Sequence, residues 1–159
     1  TMQIFVMRHG NAVPIGNIDA QRELTELGVQ EARIMAKWLT REDIKISKVF
    51  VSPYRRAQQT AQVVTELLEQ QLTVETLDFI TPSGSAKATH DYFDGLLAEG
   101  VEGNVLVVSH MPLVSYLVAE LTAGQSSPIF QTAAIAQIDY QEQKMSGDLV
   151  RLLSPGELS

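Results

Sequence analysis

Apolar positions fall along this chain in two rhythms, short continuous runs and stripes recurring every three or four residues, and the two alternate from start to finish. Gln3 to Asn11, QIFVMRHGN, is an apolar run that ends abruptly in Arg8, His9 and Gly10, and a run of that length bounded by glycine reads as a buried strand. Ala12 to Glu23 is a loop with Pro14, Gly16 and Asn17. Thr25 then caps a helix whose positions Gly28, Ala32, Met35 and Leu39 share one face, with Trp38 beside them. Lys48 to Ser52 is a second strand; Ser52 and Pro53 open a helix to about Gln70, striped by Ala57, Ala61, Val64 and Leu68. Thr73 to Ile80 alternates as a third strand, Pro82 and Gly84 form a loop, and Ser85 to Ala98 is a helix carrying Tyr92, Phe93, Leu96 and Leu97. Asn104 to His110 repeats the opening pattern of an apolar strand ending in histidine, and Pro112 starts a helix to about Leu121. After a loop from Gly124 to Thr132, AAIAQIDY and DLVRLLS read as a hairpin of strands.

Strands alternating with helices of ten or more residues predict an α/β fold, a mostly parallel sheet covered on both faces. Right-handed crossovers then collect the ends of the parallel strands on one edge, where ligands of such sheets bind. Three of these ends carry unusual polar groups: Arg8 with His9, the turn SPYRRAQQT at Ser52 to Thr60, and Ser109 with His110. Buried charge demands a partner, and in this setting the partner is a ligand that Gly10 lets the backbone approach. Arg55 and Arg56 open a helix whose dipole disfavours cations there, a broken local rule of the kind found at functional sites. Helix amides plus guanidinium make a phosphate pocket. Arg55 shares a face with Gln58, Gln59 and Gln62 and belongs to solvent; Arg56 lies beside Thr60 and the inner stripe and belongs to the pocket.

Composition narrows the chemistry. A chain of 159 residues, 45% hydrophobic and 19% charged, is most simply one globular domain. A net charge of −7 argues against nucleic acid and anionic membrane as partners, since both select a basic face. Without cysteine there is no thiolate nucleophile, disulfide or thiolate metal site. The three histidines are scattered, no HExxH occurs and the carboxylates lack EF-hand spacing, so no metal is expected. His90 is mid-helix with no accompanying polar group and reads as structural. The tract Val105 to Leu121 is interrupted by Ser109, His110 and Pro112 and fails as a membrane span; no signal peptide is evident, and a cytoplasmic setting is expected. Thr1 ahead of Met2 reads as a residue left by cloning, and no feature calls for an oligomer, so a monomer is expected.

Arg8-His9-Gly10, then Ser52-Pro53-Tyr54-Arg55-Arg56-Ala57-Gln58-Gln59-Thr60, then Ser109-His110, in that order, resemble the histidine phosphatase superfamily, also called phosphoglycerate mutase-like. The short length, the segment Arg22 to Gly28, Ile80-Thr81-Pro82 and SHMPLVSYLVAEL are most similar to its SixA branch of phosphohistidine phosphatases. The resemblance runs from about Gln3 to Pro155 and implies a three-layer αβα sandwich in one domain. It implies that His9 is the nucleophile that becomes phosphorylated and that Arg8, Arg56 and His110 hold the phosphoryl oxygens. Asn11, Arg22 and Ser109 follow as phosphate- or substrate-binding positions of lower rank, and no cofactor is implied. Relatives that cleave phosphomonoesters use a carboxylic acid to protonate the leaving oxygen, and the best candidate in this chain is Asp78. An alkoxide suffers badly without such an acid, worth about 10² to 10⁴-fold, whereas imidazole titrates near pH 6.5 and leaves more readily. The partner so implied is a protein bearing phosphohistidine, a histidine-containing phosphotransfer domain of a signalling pathway, with inorganic phosphate as product and a shallow, open site to admit it. The alternatives are a small-molecule phosphomonoesterase of the same superfamily, marked by dependence on Asp78, and a phosphate-binding module without turnover.

Overall fold

The computed structural model describes residues 2–14 and 18–158; Thr1, Gly16 and Asn17, read above as a cloning remnant and loop residues, lie outside the described part. The first strand, β1 (Met2–Arg8), is followed by α1 (Glu26–Arg41), β2 (Ile46–Val51), α2 (Arg55–Leu68), β3 (Thr73–Thr76) and α3 (Ala86–Ala98). Then come β4 (Asn104–Ser109), α4 (Leu113–Leu121), β5 (Ile135–Gln141), β6 (Ser146–Leu153) and a terminal turn α5 (Pro155–Leu158), which the hydrophobic pattern does not announce. The six strands form one sheet in the order β3-β2-β4-β1-β5-β6, parallel across its first four strands and antiparallel in the β5–β6 hairpin.

The strand β1 is apolar on both sides because both sides are covered. Ile4 and Val6 join Phe50, Val105, Val107 and Leu117 in one core, while Phe5 and Met7 join Met35, Val49, Val64 and Leu106 in the other. Helices α3 and α4 therefore line one face and α1 and α2 the opposite one, giving the three-layer sandwich. Burying roughly twenty apolar side chains per face at about 1.5 to 3 kcal/mol each is what opposes the chain's conformational entropy.

Register decides what happens at the sheet's edge. Arg8 pairs with Ser109, so the residues that follow, His9 and His110, emerge side by side. The His9 amide donates to the Ser109 carbonyl at 3.0 Å and the Ser52 amide to the Val108 carbonyl at 3.1 Å, which brings the end of β2 to the same place.

Three local expectations need correction. Ser52 and Pro53 do not open α2: the helix begins at Arg55 with Tyr54 as N-cap, because the Ser52 hydroxyl is engaged by the Tyr54 amide at 3.1 Å one step too early to cap it. The third strand stops at Thr76, since Leu77 and Ile80 turn inward to fill the core. Gly10 also packs closely on α1: a Cβ on Gly10 would lie 2.5 Å from the Gly28 carbonyl oxygen, and one on Gly28 only 2.0 Å from that of Asn11. His90 has polar company after all, with the Tyr140 hydroxyl at 2.7 Å, Asp94 at 3.3 Å and Glu120 at 3.5 Å, groups supplied by the next turn of α3 and by elements distant in sequence. That cluster ties α3 to α4 and β5.

Candidate active site

The polar side chains at the sheet's edge are held by hydrogen bonds to one another and to nearby backbone carbonyls. The His9 ring places Nδ1 2.7 Å from the Gly10 carbonyl oxygen, which accepts only; the proton therefore sits on Nδ1. Nε2 is then the unprotonated nitrogen, and it accepts a hydrogen bond from Arg56 Nε at 3.2 Å. The assignment rests on the partners of both nitrogens. An unprotonated imidazole nitrogen beside a guanidinium has the chemistry of a nucleophile next to a cation suited to anionic oxygen.

Arg56 is almost fully buried, and its fork is occupied on the far side. One terminal nitrogen donates to the Asp19 carbonyl at 2.8 Å and the other meets the Asp19 carboxylate at 3.3 Å. Asp19 also pairs with Arg22 at 3.0 Å, and Arg22 Nε donates to the Val13 carbonyl at 2.8 Å. The hydrogen bond from Arg22, with the charge of Arg56 added, holds the Asp19 carboxyl below the usual carboxylate range. Arg8 donates to the Phe130 carbonyl at 2.9 Å, while its buried Nε has no partner. Tyr54 lies under the Arg56 guanidinium at 5.2 Å and edge-on to the His110 ring at 5.1 Å, a wall between the two.

His110 is buried with its ring centroid 5.1 Å from that of His9. Its Nε2 lies 2.7 Å from the Ser52 hydroxyl, which already accepts the Tyr54 amide. His110 Nδ1 is buried without a partner, and it carries the ring proton when Ser52 donates into Nε2. Of the three buried side-chain polar atoms without a hydrogen bond among the described residues, two, on Arg8 and His110, belong to this site. Unmet buried polar atoms of that kind are costly unless a ligand meets them.

Burial is the main cause that lowers both imidazoles. His9 falls to about 4, with Arg56, Arg8 and Arg22 reinforcing the effect, and His110 to about 3, with His9, Arg56 and Arg8 doing so. Burial also lowers Arg8 from its ordinary value, although Glu31 opposes this. Both histidines are therefore neutral at pH 7.

The structure thus brings Arg8, His9, Arg56 and His110 together, with Arg22 one shell out through Asp19. Arg55 is exposed and paired with Glu23 at 2.8 Å. Asn11 faces α1, where its side-chain oxygen accepts from Thr25 at 2.7 Å and its amide donates to Glu31 at 2.7 Å. Ser109 is buried and donates to the Ile80 carbonyl at 2.8 Å, so it anchors the turn after β3. Asp78 is exposed in that turn, and among the described residues it joins no hydrogen bond or ion pair. Asp19, Tyr54 and the Ser52–His110 bond are the parts that sequence reasoning missed. Among the described residues no group of three or more carboxylates and histidines is placed to hold a metal ion, and no helix is long and apolar enough to cross a membrane.

Comparison with known proteins places this geometry in a family. Residues 4–79 match the model of the histidine phosphatase superfamily, branch 1. The chain is 44% identical over 141 residues to phosphohistidine phosphatase SixA of Escherichia coli K12, covering 89% of this chain and 87% of that protein. It is 40% identical over 151 residues to the SixA homologue of Haemophilus influenzae, covering 90% and 91%. The solved structure of the protein histidine phosphatase SixA complexed with tungstate superposes with a TM-score of 0.93 at 42% identity, over 99% of this chain and 100% of that one. With its nucleophile-like histidine, its arginines and its second strand-end histidine in the order that the family motifs require, the chain belongs to the histidine phosphatase superfamily, in the SixA branch.

Proposed function

We propose that this chain is a phosphohistidine phosphatase that works through a phosphorylated His9 and removes phosphate from histidine-containing phosphotransfer domains in signal transduction. The observation that carries the reading is the His9 Nε2 lone pair, held by Arg56 at 3.2 Å and flanked by Arg8 and His110. In the first step Nε2 attacks phosphorus, the bond from phosphorus to the substrate's imidazole breaks, and that imidazole takes a proton from solvent. Arg8, Arg56 and the Nδ1–H of His110 meet the charge spread over the phosphoryl oxygens. In the second step water attacks phosphorus, the bond to His9 breaks, and inorganic phosphate leaves with His9 restored.

The carboxylates around the site favour nitrogen over oxygen as leaving atom. Asp78 is exposed and unattached, and Asp19, which does reach Arg56, is kept ionised by Arg22 and has no proton to give at pH 7. An alkoxide would depart without general acid help, at a cost of about 10² to 10⁴-fold. The relatives named for phosphohistidine, and the relative solved with tungstate, an oxyanion of phosphate-like shape, support the same substrate class. The reading includes a metal-independent hydrolase, a single domain over residues 1–159, a monomer and a cytoplasmic setting.

The test is phosphate release from a phosphohistidine-bearing phosphotransfer domain, p-nitrophenyl phosphate and a sugar phosphate, with EDTA present, for wild type and His9→Ala. The expected result is EDTA-resistant release from phosphohistidine, lost in His9→Ala, with the sugar phosphate slower by about 10²-fold or more. Comparable turnover of the sugar phosphate, abolished by Asp78→Asn, would reassign the chain to the phosphomonoesterases. Binding without release by wild type would leave only a phosphate-binding module.

A further inference from the structure

Each arginine of the site is held by a backbone carbonyl: Arg22 by Val13 at 2.8 Å, Arg56 by Asp19 at 2.8 Å and Arg8 by Phe130 at 2.9 Å. Each of those carbonyls comes with an exposed aliphatic side chain. Val13 is itself 38% exposed, Ile18 ahead of Asp19 is 53% exposed, and Ile129 ahead of Phe130 is 78% exposed, the highest of the nine exposed large hydrophobics among the described residues. The other six are scattered over α1, α2, β3, α4 and the hairpin. A single exposed aliphatic side chain needs no explanation, but here one valine and two isoleucines stand at, or one residue before, the three carbonyls that hold the arginines of one basic pocket.

We propose that Val13, Ile18 and Ile129 are an apolar docking rim for the surface around a phosphohistidine on a partner protein, receiving aliphatic side chains that flank the phosphorylated residue. The inference rests on the phosphohistidine reading above. Its occupant follows from continuity with the site: for phosphorus to reach His9 Nε2, whatever carries it must lie against the loops that hold the arginines. Inorganic phosphate and phosphoramidate carry no apolar side chains to offer such a rim, whereas the protein surface around a phosphohistidine does. Charge at the centre then provides grip on the phosphoryl group, and the rim provides preference for a protein-borne one, an apolar contact around a polar anchor.

The test compares a phosphohistidine-bearing phosphotransfer domain with inorganic phosphoramidate as substrates of wild type, Ile18→Ser, Ile129→Ser, their combination, Ile129→Leu, and Leu27→Ser as a surface control on α1. The expected result is a loss of about tenfold in kcat/KM on the protein substrate for each serine variant, carried by KM, with phosphoramidate turnover within about twofold of wild type. Ile129→Leu retains the protein activity and Leu27→Ser changes neither. Unchanged protein turnover in the double variant overturns the rim; so does an equal loss on both substrates, which would mean that the loops only position arginines. Wild type inactive on both phosphorus–nitrogen substrates would instead remove the phosphohistidine reading, and the rim with it.

Discussion

Arg56 divides one guanidinium between two tasks, presenting Nε to the His9 lone pair and both terminal nitrogens to Asp19. The presence of Arg56 in the pocket is legible in the sequence; neither of its two contacts is. The strand-end position of Arg8, His9 and His110, and the misplaced cation at the head of a helix, are local anomalies that a one-dimensional reading detects. Asp19, Val13 and Phe130 act mainly through carbonyl oxygens, which every residue has, so no residue type marks them. Ser52 was legible as a cap and turned out to orient His110, because its distance from the helix start depends on a turn that the pattern does not specify. The two neutral imidazoles carry a pH consequence. An unfolded histidine takes up its proton near pH 6.5, whereas folded His9 and His110 wait until about 4 and 3. Between those limits the unfolded chain binds more protons, so the contribution of these histidines to stability is intact above pH 6.5 and is lost as pH falls toward 4. Urea midpoints at pH 7.5 and 4.5 are expected to fall less in His110→Gln, which keeps a hydrogen-bonding group near Ser52, than in wild type; an identical fall would show that His110 is not desolvated.

Among the elements, α1 sets the position of His9 through the residues that follow it. Its start lies against the loop after β1 through glycines on both sides, and Thr25 and Glu31 hold Asn11 from the same helix. The loop's other side is pinned by the Gly10 amide donating to Thr60 Oγ1 at 3.1 Å, within α2. Gly28→Ala puts a methyl 2.0 Å from the Asn11 oxygen, so either helix or loop must move. The expected result is a stability loss of about 1 to 3 kcal/mol and a fall in kcat/KM of at least about tenfold, read by urea unfolding and phosphoramidate turnover. A stable, fully active variant would show that α1 and His9 are independent. The helices were foreseeable from their stripes and the buried strands from their apolar runs. The end of β3 was not, because Leu77 and Ile80 continue an alternation of residues that serves a turn as well as it serves a strand.

Over the whole molecule, the parallel strands deliver their ends to one edge, and the two apolar cores beneath keep those ends in register. That much followed from alternating helix and strand patterns, whereas the antiparallel hairpin at the far side of β1 followed from two late strands too close for a crossover. The chain carries a net charge of −7, yet Arg8, Arg56 and, through Asp19, Arg22 gather around His9 at the ends of β1, β2 and β4. Among the described acids, Asp19 is the one paired with Arg56, so that guanidinium already has an anionic partner. An incoming phosphate then exchanges one anion for another, so its affinity reflects a difference between two similar contacts. The consequence is weak product inhibition: phosphate released by the reaction competes with an anion that is tethered and always present. Asp19→Asn removes the carboxylate charge while leaving the backbone carbonyl to hold Arg56. The inhibition constant of inorganic phosphate is expected to drop by about tenfold in that variant, whereas an unchanged constant would mean that Asp19 stays in place throughout turnover.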